Sequence, residues 1–289
     1  MVALSWERTA LPHNAALTRL LGVAAAAAAW FALVWAVPAI GSAFNEIGIL
    51  RIAIHAVTLW GLWLGLGLSS VTPEERVRTW LAIALPLTLW LAAIWVFAAG
   101  GAFVPRPPVP GRPPIPRLPI AIFLPTIIAL VLLLRSRRVT AILDAMPAHW
   151  LVGLQVYRVL GGFFLIYYAR GLAPGVFALP AGIGDVTTGL LALPAAAYVA
   201  TGTAWGRRIG ITWNLLGLLD FVSAISLGAM SSPGPFQVFA LDHPNVLIGT
   251  YPTVMIPAFA VPTSIVLHIL SLRQLMRRAR QSARTFTAA

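Results

Sequence analysis

Six polar side chains lie inside long apolar stretches of this chain: Arg158, Asp185, Asp220, His55, Gln155 and Asn214. An ionisable group at bilayer depth costs about 3 kcal/mol or more, and it persists where it is paired, hydrated or needed for function. One arginine with two aspartates is the chemistry of ion pairing, of cation or proton binding, and of carboxylate acid–base work. Gln155 lies one helical turn before Arg158, and Asn214 shares a small-residue stripe with Gly210 and Gly217, suited to close helix contact. These are the candidate substrate- or ion-binding residues.

Composition fixes the solvent. Of 289 residues 59% are hydrophobic and only 10% charged, with a mean hydropathy of +0.87; a soluble domain carries roughly 25% charged residues. Such a surface is matched to lipid, so the chain reads as an integral membrane protein. All 20 basic residues are Arg, which excludes lysine Schiff-base chemistry. The formal charge of +12 comes from Arg between apolar segments, where the positive-inside rule accounts for it, so nucleic acid is not an expected partner. Cys is absent, which excludes disulfides, thiolate metal sites and a Cys nucleophile.

Apolar runs near the roughly 20 residues a spanning helix needs fall at 20–40, 47–69, 78–100, 118–135, 149–170, 180–200, 209–229 and 252–272. The expectation is an all-α, polytopic membrane helix bundle of about eight spans. With both termini inside, fourteen Arg fall on the inner side and five on the outer, leaving Arg158 within the membrane; this bias predicts an N-in/C-in topology in the inner (cytoplasmic) membrane. Gly41-Ser42-Ala43 has the small residues of a signal-peptidase site, but the run Leu20–Val37 is longer than a signal-peptide core of about 7–15 residues, so helix one is expected to be retained. Residues 104–119 hold eight prolines and predict a polyproline II spacer on the outer side. Residues 135–148 predict a short interfacial helix with its basic end at the lipid headgroups, and 273–289 a basic cytoplasmic tail. The segment 230–251 is long enough to fold over an outward-facing cavity. Glu74-Glu75 after Thr72-Pro73 predict a capped helix start, and Gly61 with Gly65 a tight helix pair or homodimer face.

A rise of about 1.5 Å per residue converts position into depth. Measured from each run's midpoint, Arg158 lies about 3 Å to the inner side and Asp220 about 1.5 Å to the outer side. His55 falls at about 4.5 Å, Asp185 at about 9 Å and Arg51 at about 10 Å, all outward. The expected pairs are Arg158 with Asp220 and Asp185 with Arg51, with His55 between them. His268 falls about 9 Å to the inner side and reads as an interfacial histidine.

Gly182-Ile183-Gly184-Asp185 resembles the GxGD motif of intramembrane aspartyl proteases, the presenilin and prepilin-peptidase class. That resemblance implies a second Asp sharing a proton with Asp185 to activate water. The candidate, Asp220, follows the motif, whereas in that family the partner precedes it. Two histidines on different helices can also clamp a b-type haem, and His55 and His268 are the pair to consider, although their depths differ by roughly 14 Å. No cofactor and no metal centre is otherwise expected. The leading expectation is transport or binding of a small polar solute, proton or ion through an outward-facing cavity, with Arg158 and Asp220 as its floor and His55 and Asp185 on the approach. The alternatives are a membrane-embedded enzyme using the same residues and a structural or assembly protein whose charges bind helices together.

Overall fold

The computed structural model describes residues 13–39, 49–67, 71–105 and 115–287, and among these all regular structure is helical. The helices are α1 (His13–Ala36), α2 (Ile49–Gly67), α3 (Pro73–Ala99), α4 (Arg117–Arg135), α5 (Arg137–Ala145), α6 (His149–Ala169), α7 (Gly175–Ala200), α8 (Ala204–Ser231) and α9 (Val261–Thr287). Seven stretches among them are long and apolar enough to cross a membrane; the apolar part of α2, Ile54–Gly67, is shorter. The protein is a polytopic membrane helix bundle. Gly41-Ser42-Ala43 and residues 106–114 of the proline-rich segment lie outside the described residues.

Local signals account for several boundaries. Thr72 and Glu75 close a reciprocal capping box, Glu75 N donating to Thr72 Oγ1 (3.2 Å) and Thr72 N to Glu75 Oε2 (3.3 Å), so two amides at the start of α3 are satisfied without water. Between α7 and α8 the chain reverses over Gly202, whose φ of 68° suits a residue without a Cβ. Thr203 then caps α8, accepting from Gly206 N at 3.0 Å. Several helices start ahead of the runs read in the sequence, α3 at Pro73 and α8 at Ala204 among them, and two differences bear on the site. Helix α7 starts at Gly175 and carries Pro180 inside it, at the cost of the one backbone bond an internal proline removes. Helix α9 continues through its Arg-rich end to Thr287, preceded by a π turn, Ile256–Ala260, that also carries Pro257.

Helix α6 is not one regular helix. An α turn (His149–Gly153) leads into a nine-residue 3-10 stretch (Leu154–Gly162) and back to α (Phe163–Ala169). Against it lies α7, which also packs on α1 and α8. The approach is close at Gly189, where a Cβ would overlap the backbone nitrogen of Val159. Short α5 does not rest its apolar face on lipid. Val139 and Leu143 pack with Leu151, Leu267 and Leu270, and Gln274 Nε2 donates to the carbonyls of Leu143 and, at 2.6 Å, Met146. The Gly61/Gly65 pair divides: Gly65 faces Met146, while Gly61 has nothing within 4 Å among the described residues.

Candidate functional site

Arg158 projects from the 3-10 stretch of α6 into the seam of α7, α8 and α9, and all three guanidinium nitrogens have acceptors. Nε donates to Asp185 Oδ1 of α7 at 2.8 Å, and Nη2 lies 2.8 Å from the same oxygen. Nη2 also donates to Asp220 Oδ2 of α8. Nη1 donates to His268 Nε2 of α9 at 3.0 Å and approaches the Gly217 carbonyl at 3.4 Å. Beneath the guanidinium, Cζ sits 4.0 Å from the centroid of Phe221, a cation–π contact in a desolvated setting.

The network continues behind the arginine. A guanidinium only donates, so His268 Nε2 is the acceptor and the ring's proton is on Nδ1. Nδ1 accordingly donates to Asn214 Oδ1 at 2.9 Å. Asn214 Nδ2 in turn donates to the Gly210 carbonyl (2.7 Å) and to Ser271 Oγ (3.0 Å). His268, Asn214 and Ser271 are fully buried. On α9 the polar residues Ser264, His268, Ser271 and Gln274 recur at helical spacing and are all buried, giving an otherwise apolar helix one polar seam. Tyr157 OH reaches Ser264 Oγ at 2.6 Å.

Three glycines make room for the groups around Arg158. A Cβ on Gly161 would overlap the Asp185 carboxylate, one on Gly184 the Asp220 carboxylate, and one on Gly217 the His268 ring. The Gly182-Ile183-Gly184-Asp185 motif is therefore explained locally: Gly182 admits Leu165, Gly184 admits Asp220, and Asp185 takes the arginine.

Two expected placements are corrected. Asp185 does not meet Arg51; it meets Arg158, because α7 starts five residues before the apolar run assumed and Asp185 moves toward the helix middle. Arg51 instead donates to the Pro252 carbonyl at 3.1 Å. Nor is His268 interfacial. The spanning part of the last helix runs Ile256–Arg280, which places His268 at its centre, against Trp213 (ring centroids 5.0 Å) and Arg158. Both ring nitrogens are engaged, so neither has a lone pair for a haem iron.

The remaining candidates lie elsewhere. His55 Nε2 is 2.9 Å from Thr88 Oγ1, and His55 and Arg51 line a cavity of about 20 Å³ with Tyr157 and Thr263, room for about one water. Gln155 is fully buried, and neither of its amide atoms has a hydrogen-bond partner among the described residues. Sequence reasoning missed His268 as a member of the cluster. Its signal was the spacing of Ser264, His268, Ser271 and Gln274, which is helical and polar through an apolar run.

A bundle of membrane-spanning helices closed around a buried arginine–dicarboxylate cluster defines the class. The chain belongs to the family described as Domain of unknown function (DUF8737), which matches residues 115–276. The matched part runs from the start of α4 into α9, so it contains every residue of the cluster and none of α1–α3. No curated protein and no solved structure matches the chain.

Proposed function

We propose that this protein binds a small cation or a proton at the Asp185–Arg158–Asp220 cluster and carries it across the membrane. One observation supports this above the rest. Two carboxylates share one guanidinium, and the carboxylates are its accessible side: the Asp185 and Asp220 side chains are 15% and 10% exposed against 2% for Arg158. With both aspartates ionised and His268 neutral the cluster carries one negative charge too many. A charge left uncompensated at that depth is costly, and one proton or one monovalent cation removes the imbalance. The Arg158 guanidinium and the His268–Asn214–Ser271 chain back the site on the other side, so a ligand arrives at the carboxylates. The fourteen-to-five Arg distribution supports cytoplasmic termini and an inner membrane for such a protein.

The test is reconstitution into liposomes loaded with a pH-sensitive dye, under an imposed proton or alkali-cation gradient. Asp185→Asn and Asp220→Asn are expected to abolish flux while the protein stays folded. A second reading, that the cluster only locks helices together, draws support from the complete satisfaction of Arg158. It wins if the Asn variants keep wild-type flux but unfold early. The aspartyl-hydrolase alternative gains little from the geometry, because a proton-sharing dyad needs its carboxyls facing each other and here Arg158 engages both.

A further inference from the structure

The segment carrying Arg158 is wound in an unusual way. A 3-10 helix rarely runs beyond about four residues, yet Leu154–Gly162 holds that form for nine inside a membrane-spanning stretch. In 3-10 geometry residues three apart eclipse. Gln155, Arg158 and Gly161 therefore stack in one row, and all three are buried. The row is held in place by Arg158, through Asp185 of α7, Asp220 of α8 and His268 of α9. These three come from the helices packed against the segment, where Tyr157 also meets Ser264 of α9; from α1, Phe31 faces Gly162. Gln155 lies in that row with its amide fully buried and both polar atoms unpartnered among the described residues, an arrangement that is costly in any protein interior.

We propose that residues 154–162 form a two-state element, held as a 3-10 helix by the charged carboxylate pair and relaxing to an α-helix when that pair is neutralised. The two requirements oppose each other. In an α-helix successive residues turn by about 100° instead of about 120°, so Gln155 and Arg158 separate by about 60° around the axis. Gln155 leaves the row in which it is stranded, and Arg158 swings off the line to the carboxylates. Gly161 and Gly189 carry no Cβ to obstruct the turn at the α6–α7 contact. The element rests on the cation or proton reading for its natural trigger, though not for its existence.

The chain lacks cysteine, so spin labels on cysteines at His149 and Tyr168 report the distance across the segment without background. Rewinding nine residues from a rise of about 2.0 Å to about 1.5 Å each shortens it by about 4.5 Å. The double variant Asp185→Asn/Asp220→Asn is expected to show that shortening, and adding Gln155→Leu to it is expected to restore the longer distance. An unchanged distance in the folded double variant overturns the proposal. If that variant does not fold, acidification of the labelled wild type, which protonates the same carboxylates, decides on the same shortening. A wild type that shows no flux while the Asn variant still shortens refutes the transport reading and supports the two-state element. Flux in a wild type whose segment never shortens refutes the element alone.

Discussion

Replacing Arg158 with Gln tests the charge count of the cluster. The variant removes the guanidinium that Asp185 and Asp220 share and leaves two carboxylates buried in one seam with a neutral amide between them. Breaking a buried ion pair from one side costs about 3–5 kcal/mol, because the surviving charge stays uncompensated; here two charges survive. The opposite single changes behave differently. Asp185→Asn keeps an oxygen that can accept from Arg158 Nε and Nη2, and it leaves Arg158 and Asp220 as a balanced pair. Interhelical polar contacts in lipid average about 0.6 kcal/mol and reach about 1.7 kcal/mol, so each Asp→Asn change is expected to cost about 1–2 kcal/mol. The difference of about 2–3 kcal/mol corresponds to a factor of about 30–150 in the unfolding constant. Reversible unfolding in mixed detergent micelles, followed by helical circular dichroism, measures both. The neutral triple variant Arg158→Gln/Asp185→Asn/Asp220→Asn is expected to recover to within about 2 kcal/mol of wild type, since neutral replacement of a whole buried ion set is often tolerated. Equal losses for Arg158→Gln and for either Asp→Asn would show that the two-to-one charge balance is not what holds the seam.

Three further outcomes use the same measurement. Gly184→Ala places a Cβ in the Asp220 carboxylate and is expected to cost about 1–3 kcal/mol as an overpacking change, whereas Gly61→Ala, with nothing within 4 Å, is expected to fall within about 0.5 kcal/mol of wild type. His268→Leu strips the acceptor from Arg158 Nη1 and the donor from Asn214 Oδ1, and is expected to lose about 1–3 kcal/mol; Asn214→Leu added to it is expected to cost little more, because the two act in one chain. Thr72→Ala opens the capping box of α3 and is expected to lose about 1 kcal/mol, with helix fraying at residues 73–75 visible by amide exchange.

The membrane class was legible because it depends only on composition and run length, which packing does not alter. The Arg158–Asp220 contact was also legible, since both residues lie near the middles of their runs and small boundary errors left them level. Asp185 was misplaced for the opposite reason. Its run was begun at Pro180, as if proline must stop a helix, while the chain starts α7 at Gly175 and carries Pro180 and Pro194 inside it. His268 was misplaced because the arginines after Leu272 ended the apolar run, although the helix itself does not end there. An arginine can carry its stem along apolar surface and its head to a carbonyl; Arg278 does so, donating to the Met146 carbonyl at 2.8 Å. Winding was not legible at all. No spacing rule distinguishes a 3-10 stretch from an α-helix over 154–162, and the two differ in rise by about 0.5 Å per residue.

The glycines tie the packing of the seam to its charges. Taken alone, Gly184 beside Asp185 reads as part of a motif whose aspartate does the chemistry. In the bundle the glycine serves the aspartate of the neighbouring helix, Asp220, and the partner glycine for Asp185 is Gly161 on α6. Each group that Arg158 holds thus has a glycine making its space: Gly161 for Asp185, Gly184 for Asp220, and Gly217 for the neutral His268 ring. Close backbone approach is what lets helices pack in lipid, and here those approaches coincide with the positions where carboxylates and imidazole must be seated. Packing and charge are consequently one constraint in this seam. Enlarging any of these glycines displaces a group that Arg158 holds, so a change in the Arg158 contacts bears directly on how α6, α7 and α8 fit together.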